Sequence, residues 1–234
     1  MGNEMIIVAC ALLPAMLLLA FIYKKDTHPE PPRIVIKGFL LGMAIALPVS
    51  LVEMVADALL APFIMIPLAG AAIEAFCVAA IPEETGKLFA LNWLVKKYPK
   101  EMDERMDGIV YAVSISLGFA GLENIIYLFD NADAWVQVGI ARALLAVPGH
   151  YAFAVLMGYY YSLRYFGDKS DSTRVSILLV PVMAHGIYDT LCFISEMIPA
   201  IGGTVTAILL YICYNMQKYA LSKVHEHVRR DEAE

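Results

Sequence analysis

The chain has 234 residues, of which 60% are hydrophobic and only 17% are charged. A soluble domain is typically about 45–50% apolar and about 25% charged, so this composition predicts an integral membrane protein without a separate soluble domain. The formal net charge of −6 says little about partners, because the charges are segregated by side. No basic cluster with interleaved aromatic residues occurs, so the sequence does not support nucleic acid as a partner.

Seven apolar runs are long enough to cross a bilayer as helices, since one crossing needs about 20 residues. We therefore predict an all-α, polytopic membrane protein, a bundle of about seven transmembrane helices. Residues 1–221 are expected to form a single intramembrane domain, and residues 222–234 a short, solvated cytoplasmic tail that includes His225 and His227. The runs lie at 5–23, 34–56, 69–95, 108–130, 139–163, 174–198 and 200–220.

The positive charges predict how these helices are oriented. Lys and Arg occur around the first, third and fifth connections and in the tail, whereas the connections near 57–68, 131–138 and 199–203 carry none. Because basic connections remain on the cytoplasmic side, the N-terminus is predicted outside and the C-terminus inside the cell. The first helix lacks the basic region of a signal peptide, so we expect it to remain uncleaved.

The second and third runs contain the first polar residues within the apolar segments. Gly38, Gly42 and Ala46 form a stripe of small residues that favours close helix packing. Glu53 is expected at a solvated helix end near the outer interface. Glu74 precedes Glu83 by nine residues, which places it on the opposite helix face and favours a structural role.

The third run then carries the adjacent carboxylates Glu83 and Glu84. An ionised side chain at the centre of a bilayer helix costs about 2.5–3.5 kcal/mol on insertion scales, so these groups must be paired, protonated, hydrated or bound to a metal. Lys87 follows them by four and three positions, and on a helix either carboxylate can reach its ammonium group.

The later runs add further ionisable groups at a common depth. Glu123 lies in the fourth run, His150 in the fifth and His185 in the sixth. At a rise of 1.5 Å per residue, these three groups and Glu83 lie about 16–24 Å from the cytoplasmic ends of their helices, in a hydrocarbon core about 30 Å thick. Structural polar residues would scatter in depth, so this convergence predicts one polar site.

The set of side chains suits metal-dependent hydrolysis. Two imidazoles and a carboxylate are common ligands of catalytic zinc, which makes His150, His185 and Glu123 candidate ligands. Glu83 or Glu84 is then the candidate general base. The same groups also suit a carrier that binds ions or protons, or a non-enzymatic membrane receptor with a buried polar cluster.

Several motifs follow one another along the chain, and their order and spacing resemble those of the PrsW family of intramembrane proteases. The resemblance runs along nearly the whole chain. Its motifs are Lys25-Asp26 with Pro29-Glu30-Pro31, Glu83-Glu84-x-x-Lys87, Asp107-Gly108-Ile109-Val110-Tyr111, Phe119-x-x-x-Glu123, Arg142-Ala-Leu-Leu with His150, and His185-x-x-x-Asp189.

The resemblance implies a multi-pass protease of the bacterial cell membrane, whose domain is residues 1–221. Its substrate would be a single-span membrane protein, an anti-sigma factor, and the first cut would start a stress-response cascade. Zinc is the expected cofactor, although a mechanism driven by glutamate alone remains an alternative. Asp189 is expected to support His185, Lys87 to pair with the glutamate that is not the base, and Arg142 to hold a neighbouring carboxylate or stabilise an oxyanion. No feature predicts the oligomeric state.

Overall fold

The computed structural model describes residues 2–66 and 68–233, except for the side chains of residues 2, 3, 199 and 201. Seven long helices and no strand occur in these ranges, which confirms the predicted all-α bundle. The helices are α1 (Gly2–Tyr23), α2 (Pro32–Ile64), α3 (the continuous run of Ala69–Ile73, Glu74–Ala80 and Ile81–Lys97), α4 (Arg105–Asp130), α5 (Trp135–Tyr165), α6 (Asp171–Met197) and α7 (Pro199–Asp231).

Five of these helices, α1, α2, α4, α5 and α6, are long and apolar enough to cross a membrane. Large apolar side chains such as Leu13, Leu47 and Leu59 are exposed on the outside of the bundle. In a bilayer such side chains contact lipid, so their exposure is expected of a membrane-spanning bundle. The orientation of the helices across the membrane stays a prediction.

Helix α4 is the centre of the bundle. It is buried along most of its length and packs against α1, α2, α3, α5 and α7. Small residues permit these contacts: a Cβ atom on Gly42 of α2 would overlap the backbone carbonyl of Ile115, and one on Gly118 of α4 would overlap the carbonyl of Phe39. Reciprocal glycines therefore let the backbones of α2 and α4 approach closely, as the small-residue stripe predicted.

Two helices change their winding immediately before a proline. Residues Glu74–Ala80 of α3 and Arg142–Ala146 of α5 are π-helical, and Pro82 and Pro148 follow them. Proline lacks a backbone N–H and clashes with the carbonyl four residues earlier, which the wider π-helical turn accommodates. The α-helical turn after each π-helical segment contains site residues, which are Glu83 and Glu84 in α3 and His150 in α5.

Two helices are longer than predicted, which corrects two expectations. Helix α2 continues to Ile64, so Glu53 lies within the helix and not at a solvated end. Its side chain is partly buried, and its Oε1 atom is buried.

Helix α7 continues to Asp231 and buries Val224 and His227 fully, so the prediction of a solvated tail is wrong for these side chains. The apolar periodicity of the tail continues beyond the membrane-spanning part, and this face packs against α5.

The buried tail makes two specific contacts with the rest of the bundle. The His227 ring stacks on Tyr159 at a centroid distance of 4.5 Å, and its Nε2 atom lies 3.2 Å from the Tyr159 carbonyl oxygen. Asp231 accepts hydrogen bonds from the backbone N–H groups of Arg105 (3.1 Å) and Met106 (3.0 Å). The end of α7 therefore caps the start of α4.

Replacing Gly42 with alanine is expected to destabilise the bundle by about 1–3 kcal/mol, because the new Cβ would overlap a backbone carbonyl that has no free direction in which to move. Thermal unfolding of the detergent-purified protein measures this as a lower midpoint. Gly203→Ala is the control, since nothing lies within 4 Å of a Cβ there. Equal midpoints for Gly42→Ala and wild type would contradict the close approach of α2 and α4.

The stability of the α7 end is expected to depend on pH through His227. Burial lowers the pKa of His227 from 6.5 to about 4. The neutral imidazole therefore contributes stability that is complete above about pH 6.5 and is lost as the pH falls towards 4, by at most about 1.4 kcal/mol for each pH unit. Thermal unfolding at pH 7.5 and 5 should show a smaller difference for His227→Gln than for wild type. His225→Gln, at an exposed position, is the matched control and should leave the pH dependence unchanged. If His227→Gln showed the same pH dependence as wild type, the role proposed for His227 would be refuted.

Candidate active site

Lys87 lies at the centre of the polar site. Its Nζ atom donates hydrogen bonds to Glu83 Oε2 and Glu84 Oε1, both at 2.8 Å, and to His150 Nδ1 at 3.1 Å. Because an ammonium group can only donate, the Nδ1 atom of His150 is the acceptor. Nζ also lies 4.5 Å from the centroid of the Phe119 ring. The side chain is 2% exposed, so these contacts replace its hydration shell.

His150 links this centre to α4. Its Nε2 atom lies 2.8 Å from Glu123 Oε2, on the side of the ring opposite Lys87. The hydroxyl of Ser116 donates a hydrogen bond of 3.0 Å to the His150 carbonyl oxygen, which fixes the start of this part of α5 against α4. The imidazole therefore connects a lysine of α3 with a glutamate of α4.

His185 lies between two carboxylates. Its Nδ1 atom is 2.9 Å from Glu84 Oε1, and its Nε2 atom is 3.1 Å from Asp189 Oδ2, one helical turn further along α6. The ring stacks on Phe153 at 4.7 Å and lies 5.4 Å from the His150 ring, centroid to centroid. These contacts fix both the position and the plane of the imidazole.

Arg142 holds the α4 side of the site. Its Nε atom lies 2.5 Å from Asn124 Oδ1, its Nη2 atom 3.5 Å from Glu123 Oε2, and its guanidinium carbon 4.0 Å from the centroid of Tyr127. Asn124 in turn donates a hydrogen bond of 3.1 Å to the carbonyl oxygen of Ala11 in α1. The guanidinium thus joins α5 to α4, and Asn124 extends the connection to α1.

All eight site residues predicted from the sequence lie in one connected cluster. The convergence of four helices on one layer, inferred from depth alone, is what the distances show. The roles assigned to these residues stay predictions. The cluster contains Glu83, Glu84 and Lys87 of α3, Glu123 of α4, Arg142 and His150 of α5, and His185 and Asp189 of α6.

Two residues that contact the cluster were not predicted. Phe153 follows His150 by three positions, a spacing that places both on the same face of α5, and this could have identified it as a neighbour of the site. Asn124 directly follows Glu123 in the chain, but its contact with Arg142 depends on how α4 and α5 pack. Only the first of these contacts had a local signal in the sequence.

A cavity of about 230 Å³ lies beside the cluster, and Glu53, Glu74, Glu83 and Glu123 are among its lining residues. The prediction that Glu74 lies on the opposite face from Glu83 is therefore wrong. The physical reason is the π-helical turn between them, which holds more residues per turn than an α-helix and so rotates Glu74 relative to Glu83.

A second cavity, of about 450 Å³, lies on the other side of Tyr127 and is lined in part by Arg142, Tyr188, Asp189 and Glu196. Tyr127 lines both cavities. Together the two cavities bring open space to Glu83, Glu123 and Asp189. Such space is what water and an extended polypeptide would need to reach the cluster.

The cluster contains carboxylate and imidazole groups that could hold a metal ion. One donor atom from each of Glu83, Glu84 and His150 lies within 4.8 Å of the others. Glu84 Oε2 is buried and accepts no hydrogen bond from the described residues. Imidazole and carboxylate are the ligands that catalytic zinc sites combine. This donor group shares only His150 with the predicted ligand set of Glu123, His150 and His185.

The helical bundle and its buried cluster of acids, imidazoles and a lysine indicate a membrane-embedded enzyme of the hydrolase type. Comparison with known proteins agrees with this class. The model of the PrsW family of intramembrane metalloproteases matches residues 30–216. The chain belongs to this family.

Individual relatives extend the match over most of the chain. The chain is 38% identical over 192 residues to Protease PrsW of Geobacillus kaustophilus, which covers 81% of each chain. It is 34% identical over 187 residues to Protease PrsW of Bacillus subtilis, covering 78% of this chain and 81% of the relative. No solved structure matched this chain. The protein is therefore an intramembrane protease and a multi-pass protein of the bacterial membrane.

Replacing Lys87 with methionine is expected to lower the stability of the protein, because two buried carboxylates lose their shared counter-ion. Removing one partner of a buried ion pair typically costs about 3–5 kcal/mol. The measurement is the thermal unfolding midpoint of the detergent-purified protein. Adding Glu83→Gln to Lys87→Met should recover part of the loss, since one unpaired charge is then removed.

Lys96→Met is the matched control for this prediction, because Lys96 lies on the same helix and is exposed. Its effect should stay within about 0.5 kcal/mol. The proposed role of the ammonium group would be refuted if Lys87→Met unfolded at the same temperature as Lys96→Met.

Proposed function

We propose that the cluster around Lys87 is the active site and that it makes the first cleavage in a single-span membrane protein. The class of substrate that we propose is an anti-sigma factor, cut at the start of a stress-response cascade. The observation that carries the proposal is the position of Glu83: Lys87 holds its carboxylate beside His150, and it lines a cavity next to the buried donor atoms.

We assign the role of general base to Glu83 in preference to Glu84. Glu84 is fully buried, and its Oε1 atom contacts both Lys87 and His185, so this carboxylate is occupied in holding the cluster together. Glu83 borders the cavity, where water and a substrate carbonyl can meet. A general base must first lie within reach of the water and the substrate, and only then does its proton affinity matter. Glu83 meets this first requirement.

Hydrolysis of a peptide bond needs a proton to move twice. Glu83 accepts a proton from water as the water oxygen bonds to the carbonyl carbon, and it returns this proton to the nitrogen when the C–N bond breaks. Lys87 holds the Glu83 carboxylate in place through both steps. Arg142 keeps Glu123 oriented towards His150, which is a positioning role.

Glu123, His150 and His185 would hold zinc in this proposal, with Asp189 orienting His185 and Glu84 contributing a further carboxylate. Zinc bound there supplies Lewis-acid chemistry that polarises a carbonyl group. The buried Glu84 Oε2 atom, which accepts no hydrogen bond from the described residues, supports a cation at this position.

The proposal also covers the organisation of the chain in the membrane. Residues 1–221 form the protease domain, with the N-terminus outside the cell and the C-terminus in the cytoplasm. The larger cavity is lined by Glu196, near the end of α6 that is remote from the basic connections. With the predicted orientation, this favours a cut towards the outer side of the membrane.

Cleavage of a purified single-span anti-sigma factor by the protein in detergent tests the proposal. Glu83→Gln and His185→Ala should lower the rate at least 100-fold while the protein remains folded, because base and cluster geometry are lost. Asp130→Asn and His225→Ala are the matched controls at exposed positions and should cleave at the wild-type rate. Gel filtration and thermal unfolding check that each variant is folded.

Metal content is measured on the same preparations. Stoichiometric zinc and loss of cleavage with a chelator, restored by added zinc, are the expected results. Full cleavage by metal-free protein would refute the requirement for zinc but not the protease activity. Wild-type rates for Glu83→Gln or His185→Ala would refute the site itself.

A further inference from the structure

A second cluster of carboxylates lies at the opposite end of α4 from Glu123. Asp26 and Glu30 belong to the connection between α1 and α2, and Asp107 lies in the first turn of α4. One oxygen atom from each of the three side chains lies within 4.8 Å of the others, and none of the three residues is more than 5% exposed. Three acidic groups are therefore buried together at the surface end of the bundle.

Two oxygen atoms of this cluster are buried and accept no hydrogen bond from the part of the chain that the structure describes. Asp26 Oδ1 accepts from the N–H of His28 at 3.1 Å, but Oδ2 is without a donor. Asp107 Oδ2 accepts from the N–H groups of Asp103 (2.8 Å) and Glu104 (2.6 Å), but Oδ1 is without one. Buried polar atoms are normally satisfied, so these two oxygens indicate a missing partner.

Basic groups around the cluster contact other acids. His28 pairs with Glu104 at 2.6 Å, and Arg33 pairs with Glu101 at 3.4 Å. The hydroxyl of Tyr111 contacts the Glu30 carboxylate and so satisfies one of its oxygens. A proton shared between Glu30 and Asp107 would satisfy Asp107 Oδ1, but it would leave Asp26 Oδ2 without a partner.

The donor atoms define the class of ligand. All three side chains offer carboxylate oxygen, which is the ligand type of Ca²⁺ and Mg²⁺, whereas zinc favours nitrogen and sulfur. We propose that Asp26, Glu30 and Asp107 bind a divalent cation of the calcium and magnesium class. The ion joins the α1–α2 connection to the start of α4, the helix whose other end carries Glu123. The site is separate from the cluster around Lys87 and does not depend on the function proposed for it.

Terbium(III) luminescence tests the proposal, because Tb³⁺ binds calcium-type oxygen sites and is excited by energy transfer from a nearby tyrosine, here Tyr111. Detergent-purified full-length protein should give a saturable signal that Ca²⁺ or Mg²⁺ displaces. Asp26→Asn and Glu30→Gln should weaken Tb³⁺ binding at least tenfold. Asp103→Asn, at an exposed acid of the neighbouring connection, should bind like wild type.

Glu83→Gln separates this site from the active site, and it should keep the full signal. Gel filtration and circular dichroism check folding, and Asp26→Asn, which changes only a residue of a connecting loop, serves if Glu30→Gln does not fold. No saturable Tb³⁺ signal from folded wild-type protein would overturn the proposal, as would equal affinities of wild type and Asp26→Asn. A signal lost in Glu83→Gln alone would place the ion at the active site and also overturn it.

Discussion

The ion pairs that Lys87 forms with Glu83 and Glu84 are the interaction on which the rest of the site depends. Two adjacent carboxylates in the interior of a membrane protein require a counter-charge, since hydration is not available there. The Lys87 ammonium lies 2.8 Å from both and 3.1 Å from His150. A helix with this set of charges cannot face lipid, so α3 must turn its charged face towards α4, α5 and α6.

The winding of α3 and α5 decides which side chains reach Lys87. Each helix widens into a π-helical turn before a proline, and the residues that follow carry the acids of α3 and His150 of α5. The glycines Gly42 and Gly118 let the backbones of α2 and α4 pack closely. The π-helical turns and the close helix packing thus contribute to the positions of the side chains in the site.

Sequence reasoning succeeded for the site wherever the signal was local or could be expressed as depth. The spacing of Glu83, Glu84 and Lys87 predicted their contacts, and counting residues from the ends of the helices predicted that His150, His185 and Glu123 would share a layer. It failed for Glu74, because a π-helical turn changes the helical phase without any change in residue count. It failed for His227, because the apolar face of α7 continues past the segment that spans the membrane.

The sequence by itself determined the class of protein, the number of helices and the charged motif of α3, because composition, run length and spacing within one helix are local properties. Only the tertiary structure decided which nitrogen of each histidine faces which carboxylate and that Glu53 and Glu74 share a cavity with Glu83. It also brought Asp26, Glu30 and Asp107 together. These contacts join residues far apart in the chain, so they depend on how the helices cross and rotate against one another, which no local pattern specifies.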